Sequence, residues 1–192
     1  MKKFSLIIFI LVAELGFTQV KNEKEERIKL SEFPERAQTY FNTISNEVKY
    51  LKFYKETDVN KMSYETKFKI HKLHYSVEFD INGVLEDIEI VIKEKHIPEK
   101  ALNAIKAYFN SNFDHSRFIK IQKQFVGNTK KTDQQFIQHI IDHPDDKHTH
   151  FEIIAEIRLN KKRQLREFTF NRKGQFEHSR VVTSSSYEHA LY

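Results

Sequence analysis

The sequence predicts an α+β fold in which two tandem units, each a helix followed by four strands, form one curved antiparallel sheet. We expect about eight strands, with the helices packed on one face of the sheet. Three observations lead to this class. Residues 64–92 alternate apolar and polar side chains, two amphipathic helical stripes each follow a proline, and the pattern of the first unit returns in the second half of the chain.

Residues 64–92 predict three antiparallel strands in a meander. Tyr64, Thr66, Phe68 and Ile70 occupy every second position of one segment, with charged residues between them. Apolar or aromatic side chains alternate in the same way with polar residues over 73–79. Residues 80–83 (DING) supply a turn, because Asn and Gly tolerate positive φ at hairpin corners. One face of these strands is apolar and the other is mixed, which predicts a sheet covered on a single side.

Two amphipathic helices are predicted, and each opens on a proline. Proline at the first helical position has the right φ and loses no hydrogen bond there, so Pro34 and Pro98 mark the two starts. Apolar residues then recur at three- and four-residue steps, which is typical of a helix with one buried face. The two stripes are Ala37, Tyr40, Phe41, Ile44 and Val48, and Ala101, Ile105, Tyr108 and Phe109.

The tandem organisation follows from two recurring segments. Residues 33–37 (FPERA) return as 97–101 (IPEKA), and residues 79–83 (FDING) return as 170–174 (FNRKG). The segments FDING and FNRKG lie farther apart in the sequence than FPERA and IPEKA do, so the second copy carries an insertion. We assign the first unit to residues 31–96 and the second to residues 97–183, with the insertion at 126–148.

The chain begins with a predicted secretory signal peptide at residues 1–18. Two lysines precede an apolar run over 4–13, and small residues precede a cleavage site between Thr18 and Gln19. The run is shorter than the ~20 apolar residues that span a bilayer. We therefore expect a secreted or periplasmic protein with no transmembrane segment after signal removal. An uncleaved anchor is the alternative.

The remaining terminal segments are predicted to lie outside the packed units. Residues 19–30 form a charged lead-in with both signs mixed, which favours a solvated segment, and residues 184–192 form a tail that we expect to fray. The sequence contains no cysteine, so the exported fold has neither disulfides nor a lipid-bearing cysteine. The formal net charge is +5.

The paired motifs resemble the PepSY-like family and its β-lactamase-inhibitor-like relatives. The apolar-Pro helix openings, and strands that end in Phe79 and Phe170 four residues before a glycine, carry this resemblance over most of residues 31–183. The family implies tandem α/β units in one concave sheet, and a secreted or periplasmic protein that binds proteins or cell-envelope ligands, sometimes as an inhibitor. It carries over no catalytic residue. The insertion, the ten histidines and the absence of cysteine depart from the family pattern.

The insertion holds the candidate metal ligands. A short helix capped by Thr132 or Asp133 is predicted to run through Ile141. His139 and His143 are four residues apart, and His148 and His150 are two apart on one predicted strand face. Such spacings are compatible with a metal ion, but Pro144 is expected to push His143 out of the helix and splay the first pair. The competing interpretation is a surface loop whose histidines titrate normally.

No catalytic, cofactor-binding or nucleic-acid-binding residue is predicted. The serine run at 184–186 has no nucleophile elbow, and four glycines in the whole chain leave no phosphate-binding loop. Residues 160–164 and Arg166 form a basic hairpin corner, which is interpreted as a solvated turn or a turn facing a partner or the envelope. The predicted export argues against nucleic acid.

The sequence therefore predicts an exported, non-catalytic binding module. The polar sheet face, rich in Tyr, Lys, Glu and His, would contact a protein or cell-envelope ligand. Two alternatives are an inhibitor or regulator of a co-exported hydrolase or protease, and a His-mediated metal-responsive protein. The expected members of the contact face are Tyr50, Lys52, Tyr54, His74 and Glu78.

Overall fold

A computed structural model describes residues 20–21, 23–41, 47–58, 61–127 and 131–183, which form one ten-stranded sheet with three α-helices. The strands are β1 (Val20–Lys21), β2 (Glu23–Ile28), β3 (Lys49–Asp58), β4 (Lys61–Ile70), β5 (Leu73–Asp80), β6 (Leu85–Ile92), β7 (His115–Val126), β8 (His150–Leu159), β9 (Lys162–Asn171) and β10 (Phe176–Val182). The helices are α1 (Glu35–Phe41), α2 (Glu99–Asn112) and α3 (Asp133–Asp142).

The strand order confirms the predicted tandem architecture. The sheet runs β1-β10-β9-β8-β7-β6-β5-β4-β3-β2, and every neighbouring pair is antiparallel except the parallel pair β1–β10. Helix α1 is followed by β3 to β6 and α2 by β7 to β10, and the two sets meet where β6 pairs with β7. The predicted fold class is therefore confirmed, and the strand count rises from about eight to ten because two further strands form before α1.

Two glycines at equivalent turns bring each unit's meander onto the start of its helix. Gly83 (φ +74°) and Gly174 (φ +79°) both adopt the left-handed conformation that glycine accepts without steric cost. A Cβ at Gly83 would lie 3.0 Å from the Ala37 nitrogen, and a Cβ at Gly174 would lie 2.3 Å from the Ala101 carbonyl oxygen. The FDING turn therefore contacts the FPERA segment in the first unit, and the FNRKG turn makes the equivalent contact with the IPEKA segment in the second.

The charged lead-in is part of the sheet, contrary to the expectation of a solvated segment. Strand β1 pairs with β10 and β2 pairs with β3, so residues 20–21 and 23–28 contact strands from both ends of the sheet. The Arg180 guanidinium of β10 lies 3.7 Å from carboxylate oxygens of both Glu23 and Asp58. The two ends of the curved sheet therefore approach each other, and the lead-in lies between them.

The helices cover one face of the sheet with an aromatic core. Phe79 and Phe168 are fully buried, one under α1 and the other under α2, where its ring centroid lies 4.7 Å from that of Phe109. Burying an aromatic side chain of this size stabilises the fold by roughly 1.5–3 kcal/mol. Of the first predicted stripe, Val48 packs beside this core just before β3, while Ile44 lies outside the described residues.

The insertion contributes the third helix as predicted. The Thr132 hydroxyl accepts a hydrogen bond from the Gln135 amide and caps α3. The apolar face of α3 is buried against the first core cluster. A bulge in the β5–β6 pairing at Glu78 and Phe79 places Leu85 opposite Phe79 and in the core, so strict alternation does not continue to the start of β6. The predicted signal peptide, its Thr18–Gln19 cleavage site and the tail at 184–192 lie outside the described residues.

Candidate functional site: a basic cleft beside an acidic cavity

The polar face of the sheet is concave, and part of it is enclosed. Glu56, Glu65 and Glu167 are buried there, although Glu65 belongs to the polar row that alternates with apolar residues over 64–70. They line a cavity of about 200 Å³, which we call the acidic cavity, with ten carboxyl groups and five cationic side chains in its wall. The sheet curves so that β10 approaches β3, and this curvature encloses charged side chains that the alternating pattern alone would place in solvent.

Neighbouring carboxyl groups of the acidic cavity differ in protonation, and the ionised ones are stabilised by lysines. Burial and the neighbouring Glu65 raise the pKa of Glu56 well above its usual range. Burial also works to raise the pKa of Glu65, but the Lys67 ammonium and hydrogen bonds from Glu56 and Ser76 outweigh it and hold that pKa below its usual range. The Glu56 carboxyl therefore carries the proton of the pair, and Glu65 carries the charge.

The same carboxylates have the donor chemistry of a cation site, but Lys67 already supplies the cation. Oxygen atoms of Glu25, Glu56 and Glu65 lie within 4.8 Å of one another. The Lys67 ammonium contacts Glu25 Oε1 at 2.8 Å and Glu65 Oε2 at 3.0 Å, and it lies 5.1 Å from the centre of the Tyr54 ring. Glu25 and Glu65 are thus bridged by one ammonium in a buried ion-pair network.

The concave face opens, at the end of the sheet next to the β4–β5 hairpin, into a cleft of about 830 Å³. We call it the basic cleft, because five lysines and one glutamate are the charged residues in its lining. Successive strands β3 to β7 each contribute to it. Its polar and charged lining includes Tyr50, Lys52, Tyr54, Lys69, His74 and Lys120.

Three lysines of the basic cleft have no partner in the described parts of the chain. The ammonium groups of Lys52, Lys69 and Lys120 make no ion pair or hydrogen bond with any residue of the ranges given above. The lining glutamate, Glu94, is paired outward with Lys106 of α2 at 2.6 Å. The cleft therefore presents positive charge that the protein itself does not neutralise.

Lys120 lies on the floor of the basic cleft, where the cleft adjoins the acidic cavity. Burial lowers the pKa of Lys120, and the neighbouring carboxylate of Glu89 opposes that shift without overcoming it. Burial, together with Lys69 and Lys120, also lowers the pKa of His74. An anion bound between these groups would replace the lost hydration of Lys120, which is what an anion site requires.

Four of the five predicted contact residues line the basic cleft. Tyr50, Lys52, Tyr54 and His74 come together there, whereas Glu78 lines the acidic cavity. Tyr50 is 73% exposed and has φ +59° at a bulge in β3, a conformation that is strained for a tyrosine. Lys69 and Lys120 were missed, because alternation within one strand does not show which strands become neighbours.

The insertion histidines form two separate contacts rather than one cluster. Pro144 does end the helix, and His143 leaves the helical conformation, but the rings of His139 and His143 stack with centroids 4.7 Å apart instead of splaying. His139 Nε2 lies 2.7 Å from Asp146 Oδ2. This contact is an ordinary surface pair of an imidazole with a carboxylate.

His148 and His150 do not share a strand face, contrary to expectation. His148 precedes β8 and packs on Phe151, with ring centroids 4.2 Å apart. Burial, with Lys123 and Arg172 nearby, lowers the pKa of His148 to about 4. His150 is the first residue of β8 and contacts Gln124 Oε1 at 3.1 Å and Glu177 Oε2 at 3.2 Å. No cluster of potential ligands that includes a histidine is found within the described ranges.

The basic hairpin corner lies at the same end of the sheet as the basic cleft. Asn160 and Lys161 form the β8–β9 turn with positive φ, and Arg163 follows at the start of β9. Arg163 and Arg117 both contact Glu156, at 3.7 and 3.2 Å. Arg166, predicted with this corner, instead donates a hydrogen bond to the Ser179 hydroxyl at 2.9 Å.

A curved α+β sheet protein with a basic concave cleft is the class that this geometry defines, and solved structures share its fold. A DUF2874 family protein from Bacteroides ovatus aligns with a TM-score of 0.51 at 9% identity, covering 78% of this chain and 87% of that protein. A protein from Bacteroides eggerthii, provisionally described as periplasmic, aligns with a TM-score of 0.50 at 10% identity, covering 78% and 88%. A BLIP-like protein from Bacteroides fragilis aligns at 0.48 and 12% identity, covering 79% and 88%.

At these identities the similarity shows the fold alone. Neither a family model nor a curated protein matches the sequence. The expected α+β sheet fold is shared with these solved structures, whereas the PepSY-like assignment is not confirmed. The predicted location agrees with the periplasmic description of the protein from Bacteroides eggerthii. In the described ranges no helix is long and apolar enough to cross a lipid bilayer.

Proposed function

We propose that this protein is an exported, non-catalytic binding module, related to PepSY-like and β-lactamase-inhibitor-like proteins, whose basic cleft binds an anionic ligand. The predicted signal peptide and the periplasmic description of one structural neighbour support a location in the periplasm or outside the cell. The contact surface is the basic cleft rather than the whole polar face, because the acidic cavity is enclosed and its carboxyl groups already contact cations of its own wall.

The observation that carries this proposal is the partly buried, unpaired ammonium of Lys120. A desolvated cation that no carboxylate contacts directly is unfavourable, and proteins ordinarily pair such groups or replace them. Here Lys120 is accompanied by Lys52 and Lys69, which are also unpaired in the described chain, and by the exposed ring of Tyr50. Such an arrangement is favourable when an anion occupies the cleft, since charge-assisted contacts then replace the missing water.

Calorimetric titration with citrate, a small trivalent anion, tests the proposed function. We expect saturable binding at low ionic strength by residues 19–192, and a loss of at least tenfold in affinity in Lys120→Gln. Lys173→Gln, which removes an exposed lysine from the β9–β10 turn, is the matched control and should bind like the unmodified chain. Equal citrate affinity for all three proteins, or no binding by the unmodified chain, contradicts the proposal.

A further inference from the structure

Positive charge on the concave face does not stop at the basic cleft. It continues along the same end of the sheet from Lys120 of β7 to Arg117, and then to Arg158 of β8 and Arg163 of β9. The register places these residues side by side, because Arg117 pairs with Glu156, and Arg158 pairs with Arg163. We define the basic tract as Lys52, Lys69, Lys120, Arg117, Arg158 and Arg163.

The basic tract crosses the sheet from β3 to β9, which are separated by six strand-to-strand steps. At a spacing of about 4.8 Å per strand, the tract measures roughly 29 Å along the sheet. The side chains of Arg117 and Arg163 are 63% and 74% exposed, and they share the single carboxylate of Glu156. Two guanidinium groups on one carboxylate leave donors and a net positive charge that face solvent. The tract is therefore too long for a small anion and fits a chain of anions.

The backbone of the tract is not available to a ligand. Each strand from β3 to β9 is paired on both sides, so an extended peptide cannot add a strand there and use main-chain hydrogen bonds for affinity. A ligand of the tract has to be recognised by side chains alone. The side chains present are spaced single charges, together with the rings of Tyr50 and Tyr54 at the cleft end.

We propose that the ligand of the basic tract is an extended acidic polysaccharide, that is, a chain of sugar rings carrying carboxylates. Carboxylates spaced along such a chain match the spaced lysines and arginines, and the exposed ring of Tyr50 offers an apolar face against which a sugar ring can pack. This proposal rests on the proposed function and extends it, because it adds the hairpin arginines to the cleft and commits to one class of polymer.

The test compares oligogalacturonate of about ten sugars with monomeric galacturonate and with poly-L-glutamate of equal charge. We expect the oligosaccharide to bind at least tenfold more tightly than either comparison ligand. Arg158 makes no ion pair in the described residues, so Arg158→Gln leaves the fold intact; it should weaken oligogalacturonate binding about threefold to fivefold and leave citrate binding unchanged. Arg172→Gln, in the turn at the opposite end of the strands, is the matched control.

Two further results would overturn the inference. Poly-L-glutamate that binds as tightly as oligogalacturonate would show an unselective polyanion or acidic-peptide surface, and Tyr50→Ala should weaken only the oligosaccharide if the ring packs on sugar. If citrate binds through Lys120 but the oligosaccharide gains nothing over galacturonate, the basic cleft stands and the extended ligand is wrong. If neither citrate nor the oligosaccharide binds, the proposed function falls as well.

Discussion

Two lysines of the concave face differ in their pKa shifts and in their contribution to stability because they have different ion-pair partners. Lys67 and Lys120 both lie where the basic cleft meets the acidic cavity. Burial works to lower the pKa of each, but Glu65 and Glu25 raise the pKa of Lys67 well above its usual range, whereas no contact of that kind offsets burial at Lys120. Lys67 therefore stabilises the fold, and Lys120 is retained at a cost in stability, as expected of a binding residue.

Replacing each lysine by methionine separates the two roles. Lys67→Met leaves the carboxylates of Glu25 and Glu65 without their cation and should lower the free energy of unfolding by about 3 kcal/mol, in line with breaking a buried pair from one side. Lys120→Met removes a desolvated charge that has no such pair, and should leave the stability unchanged or raise it by up to about 1 kcal/mol. Urea unfolding followed by circular dichroism measures both. Equal destabilisation by the two substitutions would contradict this assignment.

At the scale of elements, the sequence predicts the strands that have an apolar face and misses those that do not. Strands β3 to β10 pack one side on the helices, so alternation is visible, and the paired prolines and glycines reveal the two units. In β2, which is EKEERI, the residues toward the cavity are as charged as the exposed ones, so no apolar period remains. The pairing of β2 with β3 depends on the tertiary structure and cannot be predicted from the local sequence pattern.

The local strand pattern also predicts part of the candidate site correctly. Tyr50, Lys52 and Tyr54 were assigned to a contact face because they lie in one strand segment, and the structure keeps them together. Glu78 had the same alternation but is enclosed, because its position lies nearer the end of the sheet where the lead-in and β10 meet β3. Curvature of the sheet, which depends on all the strands at once, separates the two outcomes.

A disulfide can test whether the lead-in is a strand in solution. Lys24 and Thr57 are register partners and both are exposed, so Lys24→Cys with Thr57→Cys should oxidise readily in this cysteine-free chain. The bond should stabilise the protein by about 2–4 kcal/mol. Lys24→Cys with Asp58→Cys places the thiols on opposite faces and is the control. Thiol titration and thermal melts give the answer, and equally slow oxidation of both pairs would support a solvated lead-in instead.

At the scale of the whole molecule, the concave face separates charge along the strands. The acidic cavity has twice as many carboxyl groups as cations, and the basic cleft at the other end has five lysines and one glutamate. Several carboxyl groups at the acidic end favour the protonated form: burial raises the pKa of Asp87 and Glu152 well above the usual range, and that of Glu78 to about 7. Stability should therefore be lost as the pH rises through the raised pKa values of these carboxyl groups.

The expected pH profile follows from two carboxyl groups with opposite shifts. Glu78 has a raised pKa of about 7, so its contribution to stability is complete below its unfolded value near 4.5 and is lost as pH rises toward 7. At Glu167 burial is outweighed by Lys21 and Arg180, which lower its pKa to about 2, so its contribution is present above 4.5 and is lost as pH falls toward 2. The melting temperature should peak near pH 5 and fall by several degrees by pH 8.

Thermal melts from pH 3 to pH 9 measure this profile, and one substitution assigns it. Glu78→Gln removes a titrating group from the acidic cavity, so the fall above pH 5 should become shallower, while the acid side of the profile, which depends on Glu167, should not move. Glu26→Gln, on an exposed position of β2, should leave both sides as they are. A melting temperature that rises steadily to pH 8 in the unmodified chain would mean that the cavity carboxyls are ionised in the folded protein. The separation of acidic and basic residues along the strands would then have to be stabilised by another means.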